Sequence, residues 1–144
     1  MTEEAINEKN TVSRDAAEKY FEDWGLAMDL DFDTSQMDTE DATSFYKIKR
    51  RIVNAIMRGS LQFNDDGEAV YTAVNKKSRH KDPVTFHERT GAAIMAMDKG
   101  KKNHDVAKTY AVMGDMCKVH PSVFAGMVGI DGKVCEAIFL LLMD

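Results

Sequence analysis

The sequence changes its hydrophobic period at Gly59, and this change constrains the fold more than any other feature. Before Gly59, residues 41–58 carry apolar side chains at helical spacing. The stripe on this predicted helix is formed by Phe45, Ile48, Ile52, Ala55 and Ile56. After Gly59, 60-SLQFNDDGEAVYTAV-74 has short β-rich runs on either side of a polar turn, which predicts a hairpin, and 84–88 alternates like a third strand. We therefore expect an α+β fold, mostly helical, with short helices packed on a small antiparallel hairpin or three-stranded sheet.

A first helix is predicted over residues 14–28. Ser13 is a good N-cap, and apolar residues follow it at helical spacing. The apolar side of this helix is expected to carry Tyr20, Trp24 and Met28.

The C-terminal part of the chain is predicted to contain four short helices. Their expected capping or first residues are Thr90, Asp105, Pro121 and Asp131. The first of them should end at Gly100, and the third should run through Val128. The residues of the last helix that are expected to face inward are Val134, Ile138, Leu141 and Leu142.

Three regions are predicted along the chain. Residues 1–12 are polar and are expected to be disordered. Residues 13–40 are expected to form an acidic helix and an extended connector, and residues 41–144 a globular α+β body. A chain of 144 residues, 44% of them hydrophobic, is long enough to bury one core.

The net charge of −5 conceals a division along the chain. Residues 1–45 carry 13 acidic and 3 basic side chains, a net of −10, while residues 46–144 carry 11 acidic and 16 basic ones, a net of +5. An acidic arm on a basic body favours either folding back on that body or docking on a basic partner. A solvated arm is the alternative, and the sequence leaves the choice open.

The most acidic stretch, 29-DLDFDTSQMDTE-40, places carboxylates at positions 1, 3, 5 and 12 of a twelve-residue window, as in an EF-hand calcium loop. However, Thr34 stands where that loop needs glycine, Gln36 stands where it usually has an aliphatic residue, and no second loop exists. Leu30 and Phe32 alternate with the acids, as in an extended segment that lays two apolar side chains on a surface. We therefore expect an acidic connector that binds calcium weakly or not at all.

A zinc site was considered because Cys117, Cys135, His104 and His120 would suffice for tetrahedral coordination. Both cysteines fall on predicted apolar helices, where a thiol usually behaves as a small hydrophobe. The sequence also has no Gly-rich dinucleotide loop, no P-loop and no nucleophile elbow. We expect no metal, no cofactor and no catalytic residue.

Basic residues gather on the predicted helix 41–58, where Lys47, Arg50 and Arg51 lie, and in the loop 76-KKSRHK-81. Both groups could contact phosphates. The acidic net charge and the lack of aromatic residues in the loop argue against nucleic acid. An equally simple interpretation has the helix face the acidic arm of its own chain.

The sequence predicts a cytoplasmic protein without a membrane span. The longest apolar run, 137-AIFLLLM-143, is about a third of the ~18 residues that a span needs. The acidic N-terminus does not resemble a secretory signal. Two cysteines without a spaced framework indicate a reducing compartment.

Residues 84–144 carry a particular order of helix boundaries. A strand leads into a Thr-Gly pair, a helix then begins near an Asp, a short helix opens at a Pro, and an Asp opens the last helix. This order, over about 60 residues, resembles the tail assembly chaperones of long-tailed bacteriophages. The matching positions are Thr90, Gly91, Asp105 with Val106 and Ala107, Pro121 with Phe124, and Asp131 with Val134.

The resemblance implies a binding protein without a catalytic role in the cytoplasm of the host cell. Such chaperones keep the long, helical tape-measure protein soluble and help to recruit tail-tube subunits. They are absent from the finished particle, and a longer form is often made by translational frameshifting. Partners implied by the resemblance are therefore the tape-measure and tail-tube proteins.

Adaptable apolar side chains suit a helical client, and the chain has ten methionines. The residues expected to contact a partner are Trp24, Met28, Lys47, Arg50, Arg51, Met95, Met97, Met113 and Met127. Ordinary core packing is the alternative for each methionine, Met57 and Met116 included. A homo-oligomer is compatible with the same faces.

Two other functions are compatible with the sequence. A structural tail or neck protein would use the same apolar faces for permanent contacts within the virion. A small nucleic-acid-binding regulator would use the basic helix 41–58.

Overall fold

The computed structural model of the protein describes residues 11–95 and 106–143. The helices are α1 (Arg14–Ala27), α2 (Thr39–Arg58), α3 (Val106–Cys117), α4 (Ser122–Ala125) and α5 (Ile130–Leu142). The strands are β1 (Leu61–Phe63), β2 (Ala69–Tyr71) and β3 (Val84–Phe86). Residues 91–95 are also helical. The α+β prediction is confirmed.

The first two helices begin and end at residues with the expected capping chemistry. Ser13 Oγ accepts a hydrogen bond from the Ala16 N–H at 3.2 Å, as predicted for the N-cap of α1. Helix α2 begins at Thr39, two residues earlier than predicted, because Asp38 is the N-cap and its carboxylate accepts from the Asp41 N–H at 2.8 Å. Gly59 ends α2 with a left-handed φ of 80°, as its position predicted.

The three strands form one antiparallel sheet in the order β1-β2-β3. Tyr71 of β2 lies opposite Leu61 of β1 on one side and Val84 of β3 on the other, and all three are buried. The turn between β1 and β2 is held by Asn64, whose Oδ1 accepts from the N–H groups of Asp66 and Glu68. The predicted hairpin and third strand are confirmed. Strands of three residues need packing against helices to persist.

Helix α2 is the centre of the packing, since α1, β1 and α5 all contact it. The buried residues of α1, Ala17, Phe21 and Trp24, belong to the same core as those of the sheet and of α3 to α5. Residues 13–40 therefore share one core with the body that begins at residue 41. Of the stretch predicted to be disordered, residues 1–10 lie outside the described part, while the Val12 N–H donates to the Met57 carbonyl at 3.2 Å.

The acidic connector docks on α1 through Phe32, as the alternation of residues 29–33 predicted. The Phe32 ring stacks on Phe21 with 4.5 Å between centroids and lies 5.4 Å from the ring of Phe45. Gly25 makes this approach possible, because a Cβ there would overlap the Phe32 ring. Leu30 packs half-buried against the same core.

The C-terminal helices differ from the predictions in two places. Helix α4 ends at Ala125 and does not continue to Val128. Asp131 was predicted to cap the last helix, and this prediction is wrong: α5 begins at Ile130, and its N-cap is Gly129, without a side-chain bond. The four residues predicted to face inward on α5 are all buried.

The helix predicted after Thr90 is described only in part. Thr90 Oγ1 accepts from the Ala93 N–H at 3.1 Å, as expected of a capping residue. Met97, Gly100, His104 and Asp105 lie outside the described residues. Among the described residues, no helix combines the length and apolar character that crossing a bilayer requires.

Phe32→Ala should lower the free energy of unfolding by about 2 kcal/mol, because it removes a half-buried ring from an aromatic cluster. Urea unfolding measures the change. Leu26→Ala is the control, since Leu26 is 79% exposed near the end of α1 and its loss should change stability little. Equal stability of both variants would show that Phe32 does not hold the connector in place.

Candidate functional site

An open cleft of about 410 Å³ lies on the described surface. We call it the connector cleft, because five consecutive residues of the connector and the end of α1 line one side. Its lining residues are Met28, Asp29, Leu30, Asp31, Phe32, Glu88, Arg89, Leu141 and Leu142. The cleft thus joins the connector, the segment after β3 and the end of α5.

The apolar part of the cleft is supported from beneath by the core. Leu141 and Leu142 are buried within α5, whereas Met28, Leu30 and Phe32 are half-buried and keep part of their surface accessible. The Leu30 N–H donates to the Gly25 carbonyl at 2.8 Å, which fixes the connector against the last turn of α1. Accessible apolar surface held on a packed base is typical of a binding site.

Three acidic residues and one basic residue line the same cleft, which gives it a formal charge of −3 + 1 = −2. Arg89 Nη1 donates to the Met143 carbonyl at 3.3 Å. Asp31 accepts from the Asp33 N–H at 2.9 Å. The carboxylates of Asp29 and Glu88 have neither an ion pair nor a hydrogen bond to any described residue. The cleft therefore presents two carboxylates without a partner among the described residues, beside apolar side chains.

Asp29 occupies a position that its local surroundings do not favour. It follows the C-cap of α1 and has a φ of 54°, in the left-handed region where glycine or asparagine is usual. The carboxylate also lies near the C-terminal end of the helix, where the partial charge of the backbone is negative. Nothing in α1 itself accounts for an acid at this position.

Asp131 is the centre of a second, fully enclosed polar site. Its Oδ1 accepts from the Tyr71 hydroxyl at 2.6 Å and the Val74 N–H at 2.9 Å. Its Oδ2 accepts from the Ser78 hydroxyl at 2.6 Å and the Asn75 N–H at 3.0 Å. Burial would raise the pKa of Asp131, but the four hydrogen bonds outweigh it and hold the pKa below its usual value.

The Asp131 cluster has the geometry of a structural anchor. Asp131 and Tyr71 have no exposed surface and Ser78 has 2%, so a substrate cannot reach them. Ser78 Oγ also accepts from the Val128 N–H at 2.9 Å, which adds the segment before α5 to the network. Burial and the neighbouring Asp131 raise the pKa of Tyr71 far above the usual range, which keeps the phenol a donor. The cluster ties the loop after β2 to the start of α5.

The four residues considered for zinc do not form a site in the described part of the chain. Cys117 and Cys135 are both buried, and Cys135 Sγ lies 3.4 Å from Met127 Sδ. His120 Nδ1 is 2.9 Å from the Ser122 hydroxyl, and His104 lies outside the described residues. No group of three or more metal-binding side chains occurs among residues 11–95 and 106–143. Burial raises the pKa of Cys117 to about 12.

The calcium ligands expected of an EF-hand instead serve local turns. Asp33 Oδ1 accepts from the Ser35 N–H at 2.9 Å, as Asp31 does from Asp33. The hydrogen bonds from Ser35 lower the pKa of Asp33. Glu40 lies in the first turn of α2.

The basic residues of α2 and the acidic arm do not pair within the described structure. Lys47, Arg50 and Arg51 are exposed, and none of them forms an ion pair with a described acidic residue. Lys49 lies 5.8 Å from the centroid of the Phe21 ring. In the basic loop, Lys81 Nζ donates to the carbonyls of Asn75 and Lys76.

The predicted partner-binding residues fall into different environments. Trp24 and Met113 are buried in the core, with 2% and 1% of their surface exposed, so they pack internally and do not present a binding surface. Met28 and Met127 are half-buried, Met95 is 64% exposed, and Met97 lies outside the described residues. Of these residues, only Met28 lines the connector cleft.

Eight of the nine cleft residues were not proposed as partner-binding from the sequence. They are Asp29, Leu30, Asp31, Phe32, Glu88, Arg89, Leu141 and Leu142. The alternation of Leu30 and Phe32 with acidic residues predicted that one side of the cleft packs on a surface. Leu141 and Leu142 were predicted only to face the core. No sequence pattern indicated a binding role for Glu88.

Comparisons with protein-family models, curated protein sequences and solved structures found no match for this chain. The resemblance to tail assembly chaperones therefore depends on the helix boundaries of residues 84–144. Among these, Thr90 caps a helical segment and Pro121 is the N-cap of α4. A Cβ at Gly91 would meet no atom within 4 Å, so no packing requires a glycine there.

Asp131→Asn should lower the free energy of unfolding at pH 7 by about 3 kcal/mol, because an amide cannot accept four hydrogen bonds and turns one oxygen into a donor facing donors. Glu136→Gln, on an exposed position of the same helix, is the matched control. Urea unfolding measures both. A loss below 1 kcal/mol for Asp131→Asn would contradict the anchor role.

Wild type and Asp131→Asn together also test the pH dependence of stability. Because the pKa of Asp131 is lower in the folded than in the unfolded protein, its contribution is present above the unfolded pKa of about 4 and is lost as the pH falls through the folded pKa. The stability difference between wild type and Asp131→Asn should therefore shrink below about pH 4. A constant difference from pH 7 to pH 3 would contradict the lowered pKa.

Both thiols should resist alkylation by iodoacetamide at pH 8 in the native protein and react after unfolding in urea. The reason is that burial raises the pKa of Cys117 to about 12 and that of Cys135 well above its usual value. Mass spectrometry counts the modified residues. Rapid modification of either thiol in the native state would contradict this assignment of buried, protonated thiols.

Proposed function

We propose that this protein is a non-catalytic binding protein that acts as a tail assembly chaperone of a long-tailed bacteriophage. It holds the tape-measure protein soluble and helps to recruit tail-tube subunits. The observation that carries the proposal is the connector cleft. There Met28, Leu30 and Phe32 keep accessible apolar surface beside two carboxylates that no described residue pairs. A chaperone needs such surface to cover the apolar side of a client.

The environments of the titratable groups favour binding over catalysis. The groups with the most strongly raised pKa values, Tyr71 and Cys135, are fully buried and lie away from the cleft. Asp131 has both oxygens occupied by donors. None of these groups is placed to exchange a proton with a ligand in the cleft.

A structural tail or neck protein is the second candidate. Its support is exposed apolar surface outside the cleft, notably Leu26 at 79%, Met95 at 64% and Leu140 at 52%. Such residues would be covered permanently in an assembled particle. The two functions differ in whether the chain remains in the virion.

A nucleic-acid-binding regulator is the third candidate, supported by the exposed Lys47, Arg50 and Arg51 on α2, which form no ion pair with a described acidic residue. If this face binds DNA, the affinity should fall steeply with salt, and charge-removing variants of these residues should reduce the slope.

Co-expression with the tape-measure protein of the same phage, followed by affinity capture, tests the first candidate. We expect capture of the tape-measure protein in soluble form and none of this chain in purified virions, measured by quantitative mass spectrometry. Expression of the tape-measure protein alone is the control for its intrinsic solubility. No capture, together with a fixed copy number in virions, would contradict the chaperone function and favour the structural one.

A further inference from the structure

We propose that the connector cleft binds the apolar face of a helical protein segment whose flanking positions carry lysine or arginine. The inference rests on the proposed function in that such a segment would belong to the client. The chemistry of the cleft specifies the segment, and the experiment below addresses the cleft directly.

The apolar lining suits a helix that contributes side chains from one face. A cleft of about 410 Å³ lies within the range of ~300–1,000 Å³ typical of ligand sites, and it is open to solvent. Helices that dock in grooves contribute anchors at positions i, i+3 or i+4, and i+7. Met28 at the C-cap of α1, together with Leu30 and Phe32 of the connector, offers half-buried apolar surface to such anchors. The flexible Met28 side chain can adjust to anchors of different shape.

The charges of the cleft select the flanks of the segment. Asp29 and Glu88 come from different segments of the lining, one after α1 and one after β3, and neither is paired with a described residue. The cation that shares the cleft, Arg89, already donates to the Met143 carbonyl. A helix with basic residues beside its apolar stripe would neutralise both carboxylates, whereas an acidic helix would be repelled.

The backbone of Asp29 agrees with this assignment. Aspartate and asparagine both tolerate the left-handed φ, but a negative charge beside the negative end of α1 is unfavourable. Asparagine would tolerate the same φ without the charge. The difference between Asp and Asn at this position is therefore chiefly the charge that it presents to the cleft.

Binding of fluorescently labelled peptides, followed by anisotropy, tests the proposal on the full chain. The probe is a helical peptide of about 18 residues, five turns long, with a leucine stripe flanked by lysines. One matched peptide replaces each lysine by glutamate, and a second scrambles the lysine peptide so that its stripe is lost. We expect the lysine peptide to bind at least tenfold more tightly than either.

Matched double variants test the location. Asp29→Asn with Glu88→Gln removes the two cleft carboxylates that no described residue pairs and leaves Asp31 in place. Asp65→Asn with Asp66→Asn removes two charges from the exposed turn between β1 and β2. Both change the net charge from −5 to −3. The cleft variant should bind the lysine peptide about three- to tenfold more weakly, as expected for two exposed ion pairs, and the turn variant should bind like wild type. Equal melting temperatures confirm that both variants fold.

Equal losses in the two double variants would overturn the proposal, because the attraction would then come from net charge and not from the cleft. Equal binding of the lysine and glutamate peptides, or no binding of the lysine peptide, would also overturn it. The experiments also distinguish failure of the proposed function from failure of this inference. If the cleft variant weakens peptide binding but the tape-measure protein is not captured, this inference stands without that client. If the tape-measure protein is captured equally by wild type and cleft variant, the function stands and the site is elsewhere.

Discussion

The buried carboxylate of Asp131 holds together parts of the chain that are distant in sequence. It joins β2 through Tyr71, the following loop through Val74, Asn75 and Ser78, and its own helix α5. The loop leads into β3, which pairs with β2, and the segment after β3 supplies Glu88 and Arg89 to the connector cleft. The far end of α5 supplies Leu141 and Leu142. Two of the three segments that build the cleft are thus positioned by elements that meet at one carboxylate.

The third segment, the connector, is positioned by aromatic packing. Phe32 lies within the cluster of Phe21, Trp24 and Phe45, and it approaches α1 where Gly25 lacks a side chain. A glycine inside a helix costs about 1 kcal/mol relative to alanine, and here the close ring contact offsets that cost. The acidic residues between the docked apolar ones are thereby directed away from the core. The exposure of the connector's acidic residues is a consequence of how its apolar residues dock.

Local patterns in the sequence were sufficient to predict the elements of the fold. The change of period at Gly59, the polar turn before β2 and the cap at Ser13 each act over a few residues, and each is confirmed. The prediction for Asp131 was wrong because an acid before an apolar helix normally caps that helix. Its actual partners, Ser78 and Tyr71, are 53 and 60 residues away, and no local pattern records such contacts.

The candidate site was harder to predict, for the same physical reason. The cleft combines residues from three segments that span most of the chain, so only folding brings Met28 and Leu142 to one surface. Helical spacing also cannot distinguish a methionine that packs internally from one that contacts a partner. Met113 and Met95 have similar helical surroundings in sequence, yet the structure buries the first and exposes the second.

The position of Trp24 gives the molecule a spectroscopic reporter of its own. It is the chain's single tryptophan, it is 2% exposed, and its ring lies 6.3 Å from Phe32 of the connector and 6.4 Å from Phe63 of β1. Its indole N–H has no hydrogen-bond partner among the described residues. Emission from an indole in this environment is shifted to short wavelength, and water reaching the ring would shift it to longer wavelength. The natural fluorescence of the protein therefore reports whether the connector is seated on α1, without any added label.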